Sequence, residues 1–241
     1  MASLILLIIS LGSIKPASDS LIQKAIRLFE TRHENRAHLY QAKEYLEQAV
    51  VINPDNFVAN YKLGQVYFTL GEEAQTKSEK VFWYDKGIKV AQRAKALDSN
   101  SVWGHFWYVA NLGQLTKLKG VFSGIPQIKD VKKEFDIMMR LDSNNVWVLN
   151  ALGNFYYELP EFLGGDINKA LIILHRALTI DSTYSALYIS LAKGYLRKKD
   201  YAKAYQYLKR VLDLKNPQSY ADYILDHRPQ ALKLLKKLKD Q

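Results

Sequence analysis

The sequence predicts an all-α protein: a right-handed superhelix of about five stacked helix hairpins, closed by a C-terminal capping helix. Three observations carry this expectation. A helix-end motif recurs five times along the chain. Apolar residues follow helical spacing, and no run alternates as a strand would. Only 6 prolines and 12 glycines punctuate 241 residues, which suits long helices joined by short turns. With 48% hydrophobic and 24% charged residues, the chain is long enough to bury a sizeable core.

The five helix ends read Ala49-x-x-Ile52-Asn53-Pro54, Ala94-x-x-Leu97-Asp98-Ser99, Met138-x-x-Leu141-Asp142-Ser143, Ala177-x-x-Ile180-Asp181-Ser182 and Val211-x-x-Leu214-Lys215-Asn216. Their aliphatic marks are spaced by 45, 44, 39 and 34 residues. Eleven residues after Ile52, Leu141 and Ile180 stand Leu63-Gly64-x-x-Tyr67, Leu152-Gly153-x-x-Tyr156 and Leu191-Ala192-x-x-Tyr195. The small residue admits the second helix of the hairpin, and the tyrosine fills the gap beside it. Ala42, Ala170 and Ala204 lie seven residues before Ala49, Ala177 and Val211, a small-residue stripe two turns long. This pattern resembles the tetratricopeptide repeat, whose period is about 34 residues. The third unit departs most, with Tyr108-Val109 in place of Leu-Gly and Val131 in place of alanine.

Helices are expected over 20–33, 37–52, 56–70, 75–97, 101–118, 128–141, 145–158, 167–180, 184–197 and 201–214, with a last amphipathic segment over 219–239. The hairpins occupy 18–217 and the cap 218–241. A polar-faced terminal helix is what a repeat stack needs at its open end.

The middle of the chain carries a closer resemblance. Tyr84-x-x-Gly87-x-x-x-Ala91-x-x-Ala94-x-x-Leu97 precedes Trp107-Tyr108-x-Ala110-Asn111-Leu112-Gly113. Leu159-Pro160-Glu161-Phe162-Leu163-Gly164-Gly165-Asp166-x-x-Lys169-Ala170 follows, and Ala231-x-x-Leu234-Leu235 closes the set. Over roughly 80–238 these resemble the T-components associated with TRAP transporters and, more weakly, the tetratricopeptide-type regulators of microtubule dynamics. The first resemblance implies an export-side helical protein that associates with a periplasmic solute-binding protein, in some members as a homo-oligomer with a hydrophobic channel. Members are often lipoproteins, which a chain with no cysteine cannot be through a cysteine anchor. The 159–166 segment also reads as a plain loop. Pro160 ends a helix, Gly164-Gly165 turns, and Asp166 caps the next helix.

The apolar run Ala2–Gly12 is about 11 residues, shorter than the ~20 needed to span a bilayer. It fits the apolar part of a signal segment over 1–17, with cleavage near Ala17, although no Lys or Arg precedes it. The alternative is a buried N-terminal helix. Export implies a periplasmic or secreted protein with no integral span in its mature form.

Enzymatic signatures do not stand out. His33, His38, His105, His175 and His227 lack ligand spacing, and His175 reads as a packed side chain. Gly164-Gly165-Asp166 lacks the lysine of a phosphate loop, and no nucleophile elbow occurs. No catalytic, metal or cofactor site is assigned. Residues 193–241 hold 13 Lys/Arg against 5 Asp, or +8 of the net +10. Without interleaved aromatics this reads as a solvated capping face rather than a nucleic-acid platform.

Binding is expected on the first helix of each hairpin. The groove positions are Tyr61, Gln65 and Phe68, then Trp103 and Phe106, then Trp147, Asn154 and Tyr157, then Ile189 and Lys193. Aromatics with scattered amides suit a peptide, a partner helix or an apolar ligand. The alternative is that these aromatics are ordinary core. The expected function is a non-catalytic protein-binding scaffold, and the T-component resemblance implies an accessory of a TRAP-type periplasmic transport system. The competing readings are a general envelope assembly adaptor binding peptides and a carrier of an apolar small molecule.

Overall fold

The computed structural model describes residues 2–120 and 125–239, with side chains from Pro16 onward. The signal-segment expectation rests on Ala2–Gly12, whose side chains lie outside the described residues. The helices run in order: α1 (Ala2–Glu30), α2 (Ala37–Ile52), α3 (Phe57–Glu73), α4 (Lys77–Leu97), α5 (Val102–Lys119), α6 (Ile125–Leu141), α7 (Val146–Glu158), α8 (Ile167–Ile180), α9 (Ser185–Arg197) and α10 (Tyr201–Asp213). A short α11 (Tyr220–Asp222), a π turn (Tyr223–His227) and α12 (Arg228–Lys239) end the chain. Among the described residues there is no strand, and no helix is long and apolar enough to cross a membrane. The expected all-α repeat architecture is the one observed.

The recurring helix-end motif has a direct physical meaning. The residue after each helix donates its N–H to the carbonyl of the small mark: Asn53 to Ala49 (2.9 Å), Asp98 to Ala94 (3.0 Å), Asp142 to Met138 (2.9 Å) and Asp181 to Ala177 (3.0 Å). The aspartates then accept from the backbone two residues on, at Asn100 (3.0 Å), Asn144 (3.1 Å) and Thr183 (2.7 Å). That local bond fixes the turn into the next helix. The small marks themselves, Ala49, Ala94, Met138, Ala177 and Val211, are all fully buried. The aliphatic marks Ile52, Leu141 and Ile180 are instead exposed. The fifth motif has Lys215 where the others have Asn or Asp, and α10 stops one residue early, at Asp213.

Helix starts are capped by side chains. Asn56, Asn145, Asp166 and Asp200 each accept from backbone N–H groups of the first turn, and Thr76 forms a reciprocal capping box with Glu79. In the 159–166 segment, Asp166 caps α8 as expected, accepting from Asn168 (2.9 Å) and Lys169 (3.0 Å).

Most helix ends fall within three residues of expectation, and two segments differ in organisation. The helix expected over 20–33 is the end of a longer α1 that starts at Ala2, continues through Pro16 and stops at Glu30. Its leading Leu/Ile/Ala-rich run consists largely of residues compatible with a helix. The segment expected as one helix over 219–239 is broken. Pro229 has no N–H to give back, and the chain widens into a π turn just before it, with Arg228 N–H reaching Tyr223 O.

The helices group into two compact units, Met1–Glu134 and Phe135–Gln241, divided within α6. The first buries Ile22, Ala25 and Phe29 of α1 with Leu39, Leu46 and Ala49 of α2 and Leu63, Val66 and Leu70 of α3. In the second, Leu149, Leu171, Leu174, Leu187 and Leu191 form one cluster. Tyr188, Ile189, Leu208 and Val211 form the next with Ala231 and Leu235 of α12. The terminal helix thus closes the end of its unit by burying one face.

Candidate functional site

Gly153 shows how the repeat sets helix spacing. A Cβ there would meet the Leu174 side chain at 2.6 Å, so the bare glycine is what lets α8 lie against α7. The repeat tyrosines then tie neighbouring hairpins together. Tyr67 of α3 stacks on Trp83 of α4 (5.7 Å) and donates to Glu47 of α2 at 2.6 Å. Tyr195 of α9 repeats this in the second unit, stacking on Tyr207 of α10 (5.5 Å, 7°) with its hydroxyl 2.8 Å from His175 Nε2 of α8. Tyr156 meets Lys169 instead, accepting from its ammonium at 2.8 Å. These contacts hold the first helix of each hairpin and so fix the face it presents.

In the first unit, Tyr61, Gln65 and Phe68 fall on one stripe of α3, at positions i, i+4 and i+7. Trp103 and Phe106 lie on α5. Ring contacts join four of these five residues into one line. Tyr61 stacks on Trp103 (6.3 Å, 20°), Trp103 meets Phe106 edge-on (6.0 Å), and Phe106 meets Trp107 edge-on (4.9 Å). Trp107 then contacts Phe68 at 5.7 Å. Tyr61, Phe68 and Trp103 are half-buried, whereas Phe106 is buried. Gln65 accepts from Lys62 Nζ (3.3 Å), which sits 5.5 Å from the Tyr61 ring centre. Burial pushes the Tyr61 hydroxyl pKa up, and it pushes the Lys62 ammonium down against the opposing pull of Glu30. This face is aromatic and poorly hydrated, with one cation and one amide.

In the second unit the face is more polar. Trp147 stacks on Tyr184 (5.0 Å, 22°), whose hydroxyl pKa is raised by burial. Asn154 donates to Ser190 Oγ at 3.0 Å, and Ser190 donates in turn to Asn150 at 2.8 Å. Beyond this ladder, Arg197 lies 5.4 Å from the Tyr157 ring centre and donates to the Tyr157 carbonyl. Burial raises the Tyr157 pKa, opposed by Arg197. Lys193 is half-buried on α9, one turn before Arg197.

Ile189 corrects the expectation. It is only 4% exposed and sits in the cluster with Leu208, Val211 and Ala231, so it is core and not groove lining. Counting from Leu191 put it on the binding stripe, but that side of α9 is buried in the cluster that also takes in Ala231 and Leu235 of α12. The structure also adds residues that the sequence pattern does not single out. Asn150 lies one turn before Asn154, and Arg197 one turn after Lys193, so extending each stripe by four residues would have found both. Ser190 and Tyr184 carry no such signal, because their roles come from α7 packing beside α9.

Residues 59–162 match the model of the family described as regulator of microtubule dynamics protein 1-3, and residues 185–217 match that of a tetratricopeptide repeat. No curated protein matches the chain. Among solved structures, the fold is similar to TTC0263, a thermophilic TPR protein of Thermus thermophilus, at 16% identity and a TM-score of 0.70, covering 91% of this chain and 100% of that one. It is similar to Pseudomonas aeruginosa pilF at 17% identity and a TM-score of 0.56, covering 94% and 92%. Cut9–Hcn1 of the APC/C aligns at 15% identity and a TM-score of 0.60, covering 95% of this chain and 46% of that one. Such identities show the fold, a tetratricopeptide-like helical repeat, and residues 185–217 carry a matched tetratricopeptide repeat within it.

Proposed function

We propose that the chain is a non-catalytic scaffold that holds a peptide segment of a partner protein against the first helices of its hairpins. The observation that carries this is the second unit's row of Trp147, Asn150, Asn154, Ser190 and Tyr157. The half-buried amides of Asn150 and Asn154, linked through the buried Ser190 hydroxyl, offer donors and acceptors to an extended backbone, and the flanking rings offer apolar contact to side chains. An apolar small molecule would gain little from three polar side chains in a row. The test is selection of a displayed random peptide library on the full chain, followed by titration of the enriched peptides. Asn154→Ala and Tyr157→Ala are expected to weaken them about tenfold each. Enriched peptides that bind both variants as well as the parent would sink this reading.

The finer reading is an accessory of a TRAP-type system, exported to the periplasm and paired with a solute-binding protein. Its support is the motif set at 84–113 and 159–170 and the apolar run Ala2–Gly12. The microtubule-dynamics family match spans much of the same motif set. Co-purification with a periplasmic solute-binding protein expressed from the same operon would separate the two. Its absence at micromolar concentrations of both proteins would remove the transport role and leave the scaffold.

A further inference from the structure

The C-terminal helix α12 buries Ala231 and Leu235 and packs Leu234 and Leu238 partly against the same core. What remains outward is strongly basic. Arg228, Lys233, Lys236, Lys237 and Lys239 are all exposed and make no ion pair among the described residues. Leu232 lies among them at 46% exposure, and Leu225, at 45%, stands in the π turn that leads into the helix. Lys236 and Lys239 follow Leu232 by four and seven residues, so they share its face. Asp240 follows Lys239 in the sequence and lies outside the described residues; two further acids precede the helix. Asp226 accepts from Gln230 (3.3 Å) and lies 3.9 Å from His227, and Asp222 is half-buried.

We propose that this face docks on an anionic lipid surface, with the lysines at the headgroups and Leu225 and Leu232 entering the interface. Charge complementarity selects an anionic partner. The chemistry then discriminates among anions. Four of the five cations are lysines, point charges without the planar fork that recognises phosphate bidentately in nucleic acids. No aromatic side chain stands on α12 to stack a base. Exposed leucines gain nothing beside a phosphate backbone but gain transfer energy at a bilayer interface. The helix is already folded and held by its inner face, so docking does not require it to fold first.

The test uses the full chain with vesicles of neutral phosphatidylcholine, with and without phosphatidylserine, read by flotation. Binding is expected only on the anionic vesicles, and it is lost at about 1 M salt, where the Debye length is about 3 Å. Each lysine near the surface contributes about fivefold, so Lys233→Gln/Lys236→Gln/Lys237→Gln weakens binding about a hundredfold. Leu225→Ser/Leu232→Ser weakens it further without altering the salt dependence. All five positions are exposed, so unchanged circular dichroism and thermal unfolding are expected. Equal binding to neutral vesicles, or anionic binding indifferent to the lysine substitutions, overturns the proposal. So does polyglutamate binding tighter than the vesicles, which would assign the face to an acidic polypeptide.

Discussion

The carboxamide of Asn111 occupies the space that a side chain at residue 87 would need: a Cβ on Gly87 would overlap it directly. Asn111 is completely buried. Its Nδ2 donates to Gly64 O (3.1 Å) and to Trp107 O (2.8 Å), so α3, α4 and α5 meet at this one side chain. Among the described residues its Oδ1 meets no N–H or O–H donor, and the Gly87 Cα–H beside it is a weak one. Gly87 and Asn111 both belong to the motif that carried the family resemblance. Their juxtaposition gives that motif a structural cause.

Gly87→Ala is therefore expected to destabilise the protein by about 2 kcal/mol. An alanine in a helix normally gains about 1 kcal/mol over glycine, but here it expels a buried amide that makes two hydrogen bonds. Asn111→Ala alone leaves a void on Gly87, and the double variant refills it. Denaturant unfolding of both singles and the double is expected to show a favourable coupling of at least about 1 kcal/mol. Strict additivity would mean the two residues are not in contact.

The fold was legible because its repeat is written in local chemistry. The small mark, the aspartate after it and the Leu-Gly-x-x-Tyr run each act within a turn or between adjacent helices, so their spacing shows in the sequence. The site was legible only in part. Tyr61, Phe68 and Trp103 came out together because helical spacing places them on facing stripes, whereas Phe106, expected with them, is buried core. Ile189 failed because it joins a buried cluster that draws in Ala231 and Leu235 from the terminal helix, distant in sequence. The π turn before Pro229 and the division within α6 depend on how helices close against each other, which no local pattern records.

Glu134 makes the stability of the first unit acid-sensitive. Its carboxylate takes bonds from His105 and Lys95, while His105 Nε2 lies 3.2 Å from Ser99 O. Both imidazole nitrogens thus face oxygen atoms, which fixes the ring against the Glu134 carboxylate. Burial pushes the Glu134 pKa up, but the His105 and Lys95 bonds outweigh it, and the net value falls below the ordinary 4.5. A carboxylate lowered in the fold contributes stability above its unfolded pKa and loses it as pH falls through the folded value. Glu134→Gln is expected to cost about 3 kcal/mol at neutral pH and to flatten the stability slope below pH 4.5. An unchanged slope in a pH series of urea midpoints would refute this.

The 159–166 loop separates two reasons for glycine. Gly164 has φ +92°, a region costly for other residues except asparagine or aspartate. Gly165 has no such angle, but a Cβ there would overlap the backbone carbonyl of Leu159. Gly164→Asn is expected to lower stability by under about 1 kcal/mol, and Gly165→Asn by more than about 2 kcal/mol. Equal thermal midpoints for the two variants would show that the loop relaxes.

His175 offers the most direct reading of how the second unit is held. Its Nε2 lies 2.8 Å from the Tyr195 hydroxyl, and edge contacts place it 6.0 Å from Tyr195 and 5.9 Å from Tyr207. Burial lowers its pKa below 6.5, and the nearby Lys203 lowers it further. The folded state therefore favours neutral imidazole, and the unfolded chain binds the proton more readily. The stability this contributes is present above pH 6.5 and is lost as pH falls below it. Lys203 itself lies 5.1 Å from the Tyr195 ring centre, so its charge acts from within the same cluster. Titration of the His175 ring protons by NMR is expected to give a midpoint below 6.5, and Lys203→Gln is expected to raise it. The same substitution leaves the Tyr195 bond in place, so Tyr195→Phe must act differently, removing the hydroxyl partner while the Lys203 charge remains. A midpoint unmoved by Lys203→Gln would mean that burial alone sets it, and that the ammonium does not face this ring in solution.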